Sequence, residues 1–121
     1  MRVAWDVLFY DEFEAEFDRL PRNVQDELLA CGRLLEKFGP KLGRPHVDTL
    51  EGSLYANMKE LRFKAADGEW RVAFAFDRER RAVLLAGGNK IHMSKRRFYS
   101  SLVRKADARF GRHLEQGKKG T

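Results

Sequence analysis

From Asn57 to Tyr99 the chain reads NMKELRFKAADGEWRVAFAFDRERRAVLLAGGNKIHMSKRRFY, and three segments within this run are patterned as β-strands. Side chains on a strand alternate between faces, so Lys59, Leu61, Phe63 and Ala65 share one side and Glu60, Arg62 and Lys64 the other. Asp67-Gly68 signals a hairpin, after which Trp70, Val72, Phe74 and Phe76 alternate against Arg71, Ala73 and Ala75. A second hairpin through Asp77-Arg78-Glu79-Arg80 leads into Ala82-Val83-Leu84-Leu85-Ala86, a continuous apolar run suited to a strand buried on both faces. Gly87-Gly88-Asn89-Lys90 ends that strand. If the strands pair as successive hairpins with their large apolar residues against helices, Arg62, Lys64 and Arg71 emerge together on the opposite face.

The flanking segments supply the helices. Val3 to Tyr10 alternates as a first strand. Asp11 with Glu14 three residues on resembles a capping box, and Phe13, Phe17 and Leu20 recur at helical spacing as far as Pro21. Pro21 either closes this helix or opens the next. Val24, Leu28, Cys31, Leu35 and Phe38 form the apolar stripe of a second helix, stopped by Gly39-Pro40. Residues 41–54, KLGRPHVDTLEGSL, lack periodicity and read as a loop carrying Arg44 and His46. Ser94 is the expected N-cap of a last helix with Phe98, Leu102, Ala106 and Phe110 on one face. The order implies an α+β fold: N-terminal strand, helical hairpin, antiparallel three-strand meander joined by the first strand, C-terminal helix. One domain is expected over residues 1–114, with a flexible tail over 115–121.

Charge and composition narrow the function. The net charge of +6 is uneven: residues 1–38 hold five Lys/Arg and nine Asp/Glu, a balance of −4, whereas the remainder holds nineteen and nine, a balance of +10. A basic half on a mixed domain is the footprint of a polyanion such as nucleic acid. No apolar stretch approaches the roughly 18 residues of a membrane span, and a cytoplasmic setting is expected. The one cysteine, Cys31, lies on a helix stripe and reads as a buried structural thiol.

Known cofactor and hydrolase signatures are absent. His46, His92 and His113 are far apart, there is neither C-x-x-C nor H-E-x-x-H, and no P-loop or G-x-S-x-G elbow appears. No cofactor is expected. Cations on a sheet and a helix start suit metal-free RNA cleavage, which needs a base for the 2′-OH, charge to stabilise the phosphorane-like state, and an acid for the 5′ oxygen. Arg62 and Arg71 suit charge stabilisation because guanidinium is always protonated and grips phosphate bidentately. Lys64, Lys90, His92 and Tyr99 are candidate proton carriers. Lys95, Arg96 and Arg97 sit in a first helical turn, where the dipole disfavours cations, so those charges are assigned to a ligand.

The phrases LGRPHVDTLEGSLYANMKELRF, WRVAFAFD and AVLLAGGNKIHMSKRRFY, in this order, resemble the RelE/ParE toxin superfamily, in its HigB-like branch related to phage Gp49 proteins. The resemblance runs from about Val3 to Leu114. It implies a RelE-like fold and the toxin of a type II toxin–antitoxin system, a metal-independent, ribosome-dependent mRNA endonuclease that inhibits translation. Its implied partners are mRNA on the ribosome and a cognate antitoxin with a helix-turn-helix domain. The family's RNA-facing arginines and lysine fall here on Arg62, Arg71 and Lys90. Catalytic roles are thus expected for Arg62, Arg71, Lys90 and His92, and RNA or ribosome contacts for Lys64, Lys95, Arg96, Arg97, Arg44 and Tyr99. Many members carry two adjacent lysines and a Thr where this chain has Asn89-Lys90-Ile91-His92. Either His92 substitutes for a missing group or Tyr99 is the family's C-terminal aromatic, shifted into the helix. ParE relatives share the fold and poison gyrase instead, so a gyrase inhibitor or an inert antitoxin-binding relative is the alternative.

Overall fold

The structure, a computed structural model, describes residues 5–119. The chain runs through β1 (Asp6–Phe9), α1 (Asp11–Phe17), α2 (Arg22–Phe38), β2 (Val47–Thr49), β3 (Lys59–Ala65), β4 (Gly68–Phe76), β5 (Arg81–Asn89) and α3 (Lys95–Lys119). Short 3-10 turns occupy Gly39–Lys41 and Lys90–His92. The strands form one sheet in the order β1-β5-β4-β3-β2, parallel at β1/β5 and antiparallel elsewhere. This is the expected α+β arrangement, a three-strand meander joined by the first strand, with one strand more. Val3 and Ala4, assigned to the first strand from the sequence, lie outside the described residues, as do residues 120 and 121.

Strand parity decides what covers each face. Leu61 and Phe63 stand opposite Val72 and Trp70, and this face carries α1 and α2; Val24, Leu28, Cys31 and Leu35 of α2 are all buried. Each such aliphatic side chain contributes about 1.5–3 kcal/mol on burial. Burial also pushes the Cys31 thiol up to about 11, consistent with a structural role. On the other face Ala73, Ala75, Val83 and Ala86 form a floor of small residues, and α3 lays Phe98, Leu102, Ala106 and Phe110 over that side. Gly88 faces Phe98, whose ring would stand 3.2 Å from a Cβ at that position. α3 packs chiefly on β5 and β4 and reaches Glu60 of β3 through Tyr99, leaving Arg62 half-buried and Lys64 exposed on this side.

Several local expectations change. The N-cap of α1 is Tyr10 and makes no side-chain cap; Asp11 is the first helical residue, so no capping box forms. Its acidic first turn, Asp11, Glu12 and Glu14, complements the helix dipole instead. Pro21 opens α2 as its N-cap. Gly39 closes that helix at φ 56°, and a Cβ there would run into the Trp5 indole, so glycine is required twice over. The stripe ends before Phe38, which is 44% exposed. The first hairpin turns on Ala66 and Asp67, both at positive φ, while Gly68 already pairs with Ala65. The 41–54 segment contains β2, which pairs Val47 with Leu61 and Thr49 with Lys59. Gly87, Gly88 and Asn89 belong to β5 rather than ending it, paired with Val72, Arg71 and Trp70. Leu85 is a bulge: Ala73 pairs with Ala86 but Phe74 with Leu84. Ser94 does cap α3, its Oγ accepting from the Arg97 N–H at 3.2 Å.

Candidate functional site

Arg62 and Arg71 face each other across β3 and β4, on the side of the sheet that carries α3. Two like charges in register are unfavourable unless each is compensated, and here each has its own surroundings. Arg71 is 4% exposed: its Nε donates to the Tyr99 hydroxyl at 3.2 Å and Nη1 to the Trp70 carbonyl at 2.9 Å. Arg62 is half-buried, with Asp48 Oδ2 at 3.6 Å and Glu60 Oε2 at 3.9 Å. Neither ion pair is tight, so the Arg62 fork remains available to a phosphate.

Between β2, β3, the Lys90–His92 turn and the start of α3 lies a cleft of about 720 Å³, lined by cationic Arg44, Arg62, Lys90, Lys95 and Arg96, by Tyr99, and by Asp48, Glu51 and Glu60. The backbone explains the convergence. β2 brings Arg44 and Asp48 to the edge of β3, where Arg44 Nη2 meets Asp48 Oδ2 at 2.6 Å. Asn89 Oδ1 accepts from the N–H groups of Glu69 and Ile91, tying the end of β5 to the turn that carries Lys90. Lys90 Nζ then stands 3.9 Å from Glu69 Oε2. Among the described residues Lys95 and Arg96 have no carboxylate at ion-pair distance, and their charge is free for a ligand.

Glu60 is the least expected member. It is 5% exposed, and its Oε1 is buried without a hydrogen-bond partner. Burial pushes its carboxyl above the ordinary value, against the opposing pull of the Tyr99 hydroxyl and of Arg71 and Arg62. Burial likewise raises Tyr99, which is therefore a neutral phenol near pH 7. Asp48 moves the other way: the Thr49 N–H lowers it first, then Arg44 and Arg62. Burial thus favours the neutral form of one carboxyl while its neighbour is held ionised, and carboxyls pushed apart in this way are candidates for acid–base roles.

The sequence-assigned residues divide. Arg62, Lys90, Arg44, Lys95, Arg96 and Tyr99 line the cleft, and Arg71 lies behind Tyr99. Lys64 is exposed and lines a neighbouring cleft around the edge of β3. His92 is exposed and lines neither cleft, and Arg97 lines a shallow depression on the outer side of α3. Sequence reasoning missed Glu60 and Asp48. Glu60 shares a face with Arg62 by the two-residue period, but nothing local announces its burial. Among the described residues no cluster of three or more His, Cys, Asp or Glu could hold a metal ion, and no helix is long and apolar enough to cross a membrane.

The architecture is that of the RelE fold: a mutant form of the Escherichia coli toxin RelE in its free state superposes with a TM-score of 0.60, covering 84% of this chain and 96% of that one at 14% identity. The phage-derived Gp49-like family (DUF891) matches residues 15–111, and the chain belongs to it, within the RelE/HigB-like toxin superfamily. Two Mycobacterium tuberculosis (strain H37Rv) relatives are similar over most of its length. "Putative toxin HigB2" is 39% identical over 107 residues, covering 88% of this chain, and "Putative toxin HigB3" is 41% identical over 103, covering 85%. The chain spans about half of HigB2 (53%) and 88% of HigB3.

Proposed function

We propose that this protein is the toxin of a type II toxin–antitoxin pair and cuts mRNA on the ribosome without a metal, stopping translation. The observation that carries the reading is the buried Glu60 carboxyl, raised by its burial, set in a cationic cleft beside Arg62 and Tyr99. Kinship with two proteins named as toxins supports the biological role. Glu60 takes the proton of the 2′-OH, whose oxygen attacks the adjacent phosphorus. Arg62, with Arg71 behind it, stabilises the added negative charge, an effect worth about 10²–10³-fold per well-placed donor. The P–O5′ bond breaks and the departing oxygen takes a proton from the Lys90 ammonium, leaving a 2′,3′-cyclic phosphate and a 5′-hydroxyl. Tyr99, anchored by Arg71 Nε, orients Glu60. Lys95, Arg96 and Arg44 hold flanking phosphates. The partner that silences the chain is a cognate antitoxin with a helix-turn-helix domain.

The test is brief expression followed by mapping of new mRNA 5′ ends, repeated with Glu60→Gln and Arg71→Ala. Codon-phased cleavage is expected from the native chain and a fall of about 10²–10⁴-fold from Glu60→Gln, the usual range for losing a general base. Intact mRNA together with gyrase-linked DNA breaks would overturn the nuclease assignment in favour of gyrase poisoning.

A further inference from the structure

A second cleft, of about 540 Å³, lies beside the first where β3 runs beyond its pairing with β2. That volume is within the range of about 300–1,000 Å³ usual for small-ligand sites. The two clefts share Arg44 and Arg62, and Asp48 stands between these guanidiniums at 2.6 and 3.6 Å. A guanidinium carries five N–H donors, so each keeps several for an incoming phosphate. The walls differ. The first cleft is lined mostly by charged side chains, whereas Ala30, Cys31 and Leu34 of α2 and Phe63 of β3 give the second an apolar wall. Leu34 and Phe63 are half-buried, so part of their surface is open to a ligand.

Two charges of opposite sign complete this cleft. Glu27 and Lys64 both line it and both are exposed, and among the described residues neither has an opposite charge at ion-pair distance. Glu69 also lines it but is engaged, 3.9 Å from Lys90 Nζ. A carboxylate repels phosphate, so a surface made only for an RNA backbone has no use for Glu27; its oxygens suit a group that donates hydrogen bonds. Among the bases guanine presents two donors side by side, N1–H and N2–H, which match the two oxygens of one carboxylate, with the acceptor O6 next to them. Uracil offers one N–H between two carbonyl oxygens, and adenine and cytosine an amino group beside a ring acceptor.

We propose that the second cleft is a base-reading subsite for guanine. The phosphate beside the base lies on Arg44 and Arg62, and the base lies against Phe63 and Leu34. Its N1–H and N2–H donate to the Glu27 carboxylate, and O6 accepts from Lys64. Contact with the aromatic wall serves any base, so selection falls to the Glu27 pair, as with other side chains that read base edges by hydrogen bonds. In one respect this rests on the function proposed above: the guanine belongs to mRNA and flanks the scissile phosphate, so the chain chooses where it cuts through a cleft that performs none of the chemistry.

The probes are the 3′-monophosphates of guanosine, inosine and uridine, titrated into the isotope-labelled full chain. Guanosine monophosphate should bind saturably, with shifts at Glu27, Leu34 and Phe63 as well as at Arg44 and Arg62. Inosine monophosphate, which lacks only the 2-amino group, should bind about tenfold more weakly, the scale of one hydrogen bond to a charged acceptor, and uridine monophosphate more weakly still. Glu27→Gln, on the exposed side of α2, should close the gap between guanosine and inosine by weakening the first alone. Phe63→Leu, once its amide spectrum shows the native fold, should weaken all three. A trinucleotide with uridine on either side of a 2′-O-methylguanosine should bind about tenfold more tightly than the mononucleotide, with added shifts at Lys95 and Arg96, the gain from further phosphate contacts. Equal affinity of the trinucleotide and the mononucleotide would assign the cleft to a free nucleotide and overturn the proposal. So would equal binding of the three monophosphates, shifts confined to Arg44 and Arg62, or a guanosine preference that persists in Glu27→Gln. None of these readouts involves cleavage, so failure here leaves the nuclease assignment standing, and intact mRNA in cells beside selective guanine binding would overturn the nuclease assignment alone.

Discussion

Helix α3 has two charged ends that the composition counts alike and the fold uses differently. At its start Lys95, Arg96 and Arg97 have no carboxylate partner among the described residues. Roughly four turns later, Arg109 and Arg112 grip α1, and His113 grips the β4/β5 hairpin. Arg109 makes a two-pronged bond to Glu16, at 3.0 and 2.6 Å, and donates to the Leu85 carbonyl at 2.8 Å. Arg112 meets Glu12 at 2.9 Å, and His113 Nε2 lies 2.9 Å from Asp77 Oδ2. The contrast teaches that a basic residue count locates no site. A paired, buried arginine is structure; an unpaired one at the end of a helix where the dipole opposes it, at a cost of about 0.3–1 kcal/mol, is available to a ligand.

The sharpest way to break this comparison is Arg109→Ala. Removing a buried, hydrogen-bonded partner should cost about 3 kcal/mol, read as a lower urea midpoint with unchanged slope. A loss below about 0.5 kcal/mol, the level of an exposed pair, would erase the distinction between the two ends. Arg62→Ala comes next, with a fall of about 10²–10³-fold in cleavage rate and little change in the unfolding midpoint, since Arg62's two ion pairs are long.

Glu60 and Asp77 then give opposite pH signatures. Glu60 is raised in the folded chain, so its contribution to stability is present below the ordinary carboxylate range and is lost as pH rises through its folded value. At pH 7 Glu60→Gln should therefore raise stability, by about 1 kcal/mol if relief of one buried charge is the cause, while lowering cleavage about 10²–10⁴-fold. For Asp77, burial pushes upward, but His113 and Arg81 hold it below its ordinary value. Its contribution is present above the unfolded pKa and is lost as pH falls through the folded one, so Asp77→Asn should flatten the acid limb of the stability profile. The smallest effect is expected at Arg22, whose exposed pair with Asp26 at 3.5 Å should be worth less than about 0.5 kcal/mol in thermal unfolding.

How much the sequence revealed depended on the length of each pattern. The α2 stripe, the two hairpins and the facing of Arg62 with Arg71 were legible because each rests on several periods of one repeat. β2 was not, since three residues between Gly43, Pro45 and Gly52 supply no alternation to detect. Gly87 and Gly88 read as a stop although they are paired, for their role is to let Val72 and Phe98 approach closely. The two-residue period sets Glu60 on the same face as Arg62 but gives no sign of its role, because its burial beside Tyr99 is a tertiary fact. His92 drew notice by residue type and by its place in the family pattern, yet it stands outside the cleft.

The extra residue at Leu85 has a further consequence. Alternation along a strand is a wave of period two, and one inserted residue shifts it by half a period. Up to Leu84, β5 keeps time with the hydrophobic layer; from Ala86 onward it keeps the opposite time, which lets Gly88 meet Phe98 and brings Asn89 against the amides of Glu69 and Ile91. Arg109 holds the carbonyl at the point where the phase changes. A single strand thus serves two rhythms, and the residue that clamps the far end of α3 also grips the carbonyl at which one gives way to the other.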